Sequence, residues 1–124
     1  MASKKQPWYL DSGCSKHMTG DASQLINLKW KSARFVTYGD NNRGRILGVG
    51  DIGGDDDVII KDVFLVDRLK HNLLNISQLC EKGYKITFEP NLCLIVDSKT
   101  SETMLVGKRV KMYTCLMSRA LHLV

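Results

Sequence analysis

Trp8-Tyr9-Leu10-Asp11-Ser12-Gly13 is the stretch on which the reading of the fold turns. An aromatic and apolar run of this kind reads as a core strand. The Asp-Ser-Gly behind it reads as the turn that ends the strand. A carboxylate carried by a buried strand into such a turn is an acid–base group on a rigid support. The glycine leaves room for another backbone to come close. Taken alone, Asp-Ser-Gly is more often a plain turn or a helix cap than a chemical site. The tripeptide occurs once in 124 residues. A site built from two such turns, one carboxylate serving as acid and the other as base, would find only one of them in this chain, so two chains would have to meet at Asp11.

Downstream, short strands alternate with turn signals. Phe35-Val36-Thr37-Tyr38 and Arg45-Ile46-Leu47-Gly48-Val49 flank Gly39-Asp40-Asn41-Asn42-Arg43-Gly44, the pattern of a hairpin. Gly53-Gly54-Asp55-Asp56-Asp57 is a second polar turn, more readily a solvated loop than a cation site. Val58-Ile59-Ile60 and Val63-Phe64-Leu65-Val66 read as a strand pair or as one long bulged strand. Leu73, Leu74, Ile76, Leu79 and Cys80 recur at helical spacing and Gly83 stands at a C-cap position, which predicts one short helix from Ile76 to Lys82. Tyr84 to Phe88 and Leu92 to Val96 are strands around Glu89-Pro90-Asn91, with further strands over Thr103 to Val106 and Val110 to Leu116. An all-β domain with one helix follows. It is expected over residues 8–117, between tails at 1–7 and 118–124.

Size and charge narrow the class. With 44% hydrophobic residues the chain has enough for one core. No apolar run is long enough to span a membrane, and Met1 to Pro7 lacks an apolar signal segment, so a cytosolic setting is expected. The formal charge is +5, but Lys4, Lys5, Lys108, Arg109, Lys111 and Arg119 lie near the ends. The other twelve basic residues face all thirteen acidic ones. Counted this way, the body offers no cluster of aromatic and basic residues for nucleic acid, and none is expected to bind. Cys80, Cys93 and Cys115 read as small core residues. Cys14 and His17 lack a second Cys/His pair, so no metal is expected. His17, His71 and His122 read as packing or surface residues.

A second block, Leu69-Lys70-His71-Asn72-Leu73-Leu74-Asn75-Ile76-Ser77-Gln78-Leu79 followed by Glu81-Lys82-Gly83-Tyr84, joins the first, which runs on through Cys14-Ser15-Lys16-His17-Met18-Thr19-Gly20. Together they resemble the protease region of copia-type (Pseudoviridae-like) retrotransposon Pol polyproteins, from about Trp8 to Tyr113. The resemblance implies a retropepsin-like aspartic protease fold: a closed β-barrel, one lobe per chain, with one short helix. It implies an endopeptidase that processes a Gag-Pol polyprotein as a homodimer, without a cofactor, in the cytoplasm or in virus-like particles. Asp11, Ser12 and Gly13 would be the catalytic loop. Ser12 would bond across to the opposite loop, and Gly13 would donate its N–H to the carboxylate. The Phe35 to Val49 hairpin would be the flap. Tyr38, Gly39, Asp40 and Asn41 would contact an extended peptide.

Two positions depart from retropepsins. Asn75 stands where they carry glycine, and Cys14 where they generally carry alanine. Two other readings belong beside the protease. Cys14 could act as a nucleophile with His17 as base. The domain could equally be a catalytically silent dimerisation or peptide-binding module of the same fold.

Overall fold

In a computed structural model the chain is described over residues 7–11, 13–31, 34–38, 42–53, 59–112 and 114–117. Among these described residues eleven strands alternate with little else. They are β1 (Trp8–Asp11), β2 (Met18–Thr19), β3 (Ile26–Trp30), β4 (Phe35–Tyr38), β5 (Asn42–Ile52), β6 (Ile60–Val66), β7 (Asn72–Leu74), β8 (Tyr84–Phe88), β9 (Leu92–Asp97), β10 (Thr103–Lys111) and β11 (Thr114–Met117). One α-helix, α1 (Ile76–Glu81), and one 3-10 turn (Ala22–Gln24) complete the set.

The main sheet runs β3-β5-β6-β2-β7-β1-β11-β10-β9-β8, with β4 attached to β5. Its end strands, β3 and β8, do not pair with each other among the described residues. The all-β architecture is therefore as expected, while the sheet itself is an open path and not a closed barrel.

β1 is in the middle of that path. It pairs antiparallel with β11, Asp11 opposite Thr114, and parallel with β7, Leu10 opposite Leu74. A parallel neighbour needs a crossover, and here more than sixty residues of chain make it. The two motif blocks of the sequence thus lie side by side. Trp8, Leu10, Leu74, Leu79, Ile95 and Leu105 are buried in the main core beneath them. Cys14, Met18 and Val66 form a smaller core under the hairpin, with Val36, Tyr38 and Leu73 packed against it. Gly20 is obligatory in this corner, since any Cβ there would collide with the Leu69 carbonyl.

Several elements differ from the sequence reading. β5 begins at Asn42, so the hairpin pairs Tyr38 with Asn42 and is tighter than expected. Residues 54–58 and the tip residues Gly39, Asp40 and Asn41 lie outside the described residues. The segment after Ile59 is one bulged strand, β6, with Asp62 at φ 63. Leu73 and Leu74, counted at helical spacing with the residues after them, form β7 opposite Tyr9 and Leu10 of β1, while α1 itself begins at Ile76 as expected. β10 runs on through Lys108 and Arg109, which charge had suggested were tail. Cys80 is exposed on α1 and is no core residue; Cys93 and Cys115 are in the core, where they pair as a disulfide between β9 and β11.

Candidate active site

Asp11 is the last residue of β1 and pairs with Thr114 of β11, while the parallel ladder with β7 ends one residue earlier, at Leu10 and Leu74. The strand that carries the carboxylate is thus fixed on both sides just before the turn. The half-buried carboxylate accepts a hydrogen bond from the Gly13 N–H at 2.8 Å, so the turn orients the acid. Gly13 itself is exposed, and a Cβ there would sit 3.3 Å from Asp11 Oδ1. Of the expected catalytic loop, Asp11 and Gly13 stand together, while Ser12 lies outside the described residues.

A cavity of about 330 Å³ opens at this point. Asp11, Gly13 and Cys14 form one wall, and Tyr38 of the hairpin forms another. The connection from β6 to β7 closes it with Arg68, Leu69, Lys70, His71 and Leu73. His71 meets the Tyr9 ring edge-on at 5.6 Å between centroids, which ties this connection to β1. Tyr38, one of the residues expected to contact substrate, thus lines the same cavity as Asp11. Gly39, Asp40 and Asn41 fall outside the described residues. A larger depression of about 530 Å³ lies elsewhere, beside Pro7, Leu92, Val106 and Leu116. It is largely apolar, with Lys108 its one ionisable described residue and no carboxylate in its described lining, so the smaller cavity is the candidate.

Behind the Asp11 turn lies a buried polar lattice that links the two blocks. Asn75 caps α1 by accepting the Gln78 N–H on its side-chain oxygen at 2.7 Å. Its amide nitrogen donates to the Cys14 carbonyl at 2.6 Å. Its own N–H donates to His17 Nδ1 at 2.8 Å. Gln78 Oε1 then accepts the His17 N–H at 3.0 Å, and its amide donates to the Asp62 carbonyl at 2.8 Å. Thr19 donates to Asn72 Oδ1 at 2.5 Å a strand further on. In the capping-box arrangement the side chain three residues on would take the cap's N–H. Here His17 takes it, which frees Gln78 to hold the opposite strand. Asn75 at the glycine position is thus the latch of the turn. The sequence reading missed this role, and the capping-box spacing Asn75-x-x-Gln78 is the signal that could have found it.

Electrostatics decide against Cys14 as a nucleophile. Burial, then the neighbouring Asp11 charge, push its thiol up to about 11. The sulfur is directed at the carbonyls of Asp11 and Leu74, at 3.2 and 3.6 Å. His17 is 1% exposed, and burial, with a smaller push from Lys16, lowers it to about 4. Its Nδ1 is occupied by Asn75, so it is neither aimed at the thiol nor basic enough to activate it.

Among the described residues Asp11 is the one carboxylate lining the cavity, and no cluster of them could hold a metal ion. Nor is any helix among them long and apolar enough to cross a membrane. A single carboxylate can take a proton from water but cannot also supply one to a leaving group. Residues 8–84, which include both blocks, match the model of a family described as the Pol polyprotein β-barrel domain. No curated protein and no solved structure matches the chain.

Proposed function

Because the chain belongs to the Pol polyprotein β-barrel domain family, and so to a retroelement polyprotein, we propose that it is the aspartic endopeptidase of that polyprotein. It would act as a homodimer in which two retropepsin-like lobes pool their Asp11 side chains. The observation that carries this reading is the Asp11 carboxylate itself. It is fixed at the end of the central strand, oriented by the Gly13 N–H, and open to a cavity bounded by the hairpin. The parallel pairing of the two blocks across Leu10 and Leu74 supports it further.

Two carboxylates within about 3 Å cannot both ionise, so they share one proton. The ionised Asp11 takes a proton from a water held between them as its oxygen attacks the scissile carbonyl carbon. The protonated Asp11 delivers its proton to the carbonyl oxygen, and a gem-diol results. Collapse of that diol returns a proton to one carboxylate. The departing nitrogen takes the other carboxyl proton as the C–N bond breaks. The hairpin, with Tyr38 on its inner face, lies over the peptide and excludes bulk water. The substrate is an extended segment, able to pair its backbone with the hairpin.

The test is self-processing of this segment within its natural flanks, with and without Asp11→Asn. The substitution is nearly isosteric and accepts the Gly13 N–H as before, so folding is preserved. Cleavage stops if the reading is right. Cleavage at an unchanged rate would overturn it, and would leave a peptide-binding module of this fold.

A further inference from the structure

Asp11 is not alone in its cavity. Arg68, Lys70 and His71 line it as well, all three exposed, on the connection from β6 to β7. His71 is turned edge-on to Tyr9. Arg68 and Lys70 have no comparable engagement. The ion pairs among the described residues join Lys61 to Asp51 and Lys82 to Asp62, so no carboxylate neutralises either cation. Asp67, next to Arg68 in the chain, is exposed and is not among the residues that line the cavity. The described lining thus sets two uncommitted cations against the single Asp11 carboxylate.

The connection that bears them is fixed in place. The Leu69 N–H donates to the Val66 carbonyl at 3.4 Å, closing a turn with Asp67 and Arg68 at its corners. Leu69 packs on the smaller core, and its carbonyl lies against Gly20. Asn72 accepts from Thr19 and donates to the Pro7 carbonyl at 3.3 Å. Arg68 itself stands at φ 62, in the left-handed region that glycine enters more readily than any residue with a Cβ. The other non-glycine residues with positive φ among the described ones are Asn27, Asp62 and Ser101, all short and polar. A long cation contributes nothing to this turn that glycine would not supply better. What it contributes is a charge at the cavity wall.

We infer that Arg68 and Lys70 form a subsite for an acidic side chain, so that the peptides this cavity accepts carry Asp or Glu beside the bond that lies at Asp11. That this bond is then cut rests on the endopeptidase reading; the binding does not. In the proposed dimer two Asp11 side chains share one proton, so one carboxylate charge faces four cations, two from each lobe. A Lys or Arg on the peptide meets that excess and is repelled. An ion pair in open water contributes little. Here Tyr38 and the hairpin cover the peptide, and the exclusion of water strengthens the pairing. Leu69 and Leu73 in the same lining suit an apolar side chain next to the acidic one.

The test uses end-blocked octapeptides with a Leu-Phe centre, carrying Glu, Gln or Lys in turn at each flanking position. Blocked ends leave the side chain as the only charge. Binding is read by fluorescence anisotropy on the full Asp11→Asn chain, and cleavage by mass spectrometry with the intact chain. At one or more positions the Glu peptide should bind about tenfold more tightly than the Lys peptide, with Gln between them. The gap should narrow as salt rises. Adding Arg68→Gln and Lys70→Gln should bring that ratio close to one, and Arg68→Glu with Lys70→Glu should reverse it. The ratio is taken within each variant, so a general loss of binding cancels. Both positions are exposed, and unchanged circular dichroism confirms folding. Equal or undetectable binding of the Glu and Lys peptides overturns the inference, as does a Glu preference that survives both substitutions. A Glu preference in binding, with no peptide cut by the intact chain, supports the acidic subsite and counts against the endopeptidase reading alone.

Discussion

His17 couples the turn to pH. Its folded-state value is about 4, against the ordinary 6.5. Between those values the unfolded chain takes up a proton that the folded chain refuses. Stability is therefore full above pH 6.5, falls as pH drops through that window, and levels off below 4. The span corresponds to about 3 kcal/mol from this one group. Urea midpoints measured from pH 7.5 to 4 should show that fall, and His17→Gln, less stable overall, should flatten it. A wild-type curve no steeper than the variant's in this window would show that His17 is not buried neutral. Asn75 makes a separate prediction. Asn75→Ala removes the cap and leaves the Cys14 carbonyl unpaired, at a cost of about 2–3 kcal/mol in the urea midpoint. Cysteine chemistry follows burial in the same way. Iodoacetamide should label Cys80 on the native protein and leave Cys14 untouched until denaturant is added.

Elements were legible in the sequence where their signals were local. The hairpin of β4 and β5 and the pair β8 and β9 announce themselves through β-branched residues around a turn. The helix announces itself through Leu79 and a terminal glycine. Gly83, at φ 95 with open space where a Cβ would be, carries only the backbone cost. Gly83→Ala should accordingly lower stability by about 1 kcal/mol in thermal or urea unfolding, with no cavity or clash to complicate it. β2, β3 and β7 escaped because a strand of two or three residues has no period to detect, and an edge strand such as β3 has little buried face. The site divides in the same way. Asp11 and Gly13 are adjacent in sequence and were readable. The bonds from Asn75 and Gln78 to Cys14 and His17 span about sixty residues, so only the folded chain could show them.

For the whole molecule the number of carboxylates at the site decides what one chain can do. The cavity holds one Asp11 per chain, and the proposed chemistry consumes and supplies a proton in the same turnover. A lone chain with one acid would show activity proportional to the number of intact chains. A dimer that needs both acids behaves differently when intact and Asp11→Asn chains are mixed. In an equal mixture at fixed total concentration, random pairing leaves about a quarter of the dimers with two carboxylates. Peptide-cleavage rate should then fall to about a quarter of the all-intact value, and dilution should lower the rate per chain as dimers dissociate. A fall to about one half, insensitive to dilution, would instead assign the chemistry to a single chain. The substituted chain keeps the Gly13 contact and the lattice behind it, so it enters dimers as readily as the intact one. The ratio therefore reads the number of acids per site directly.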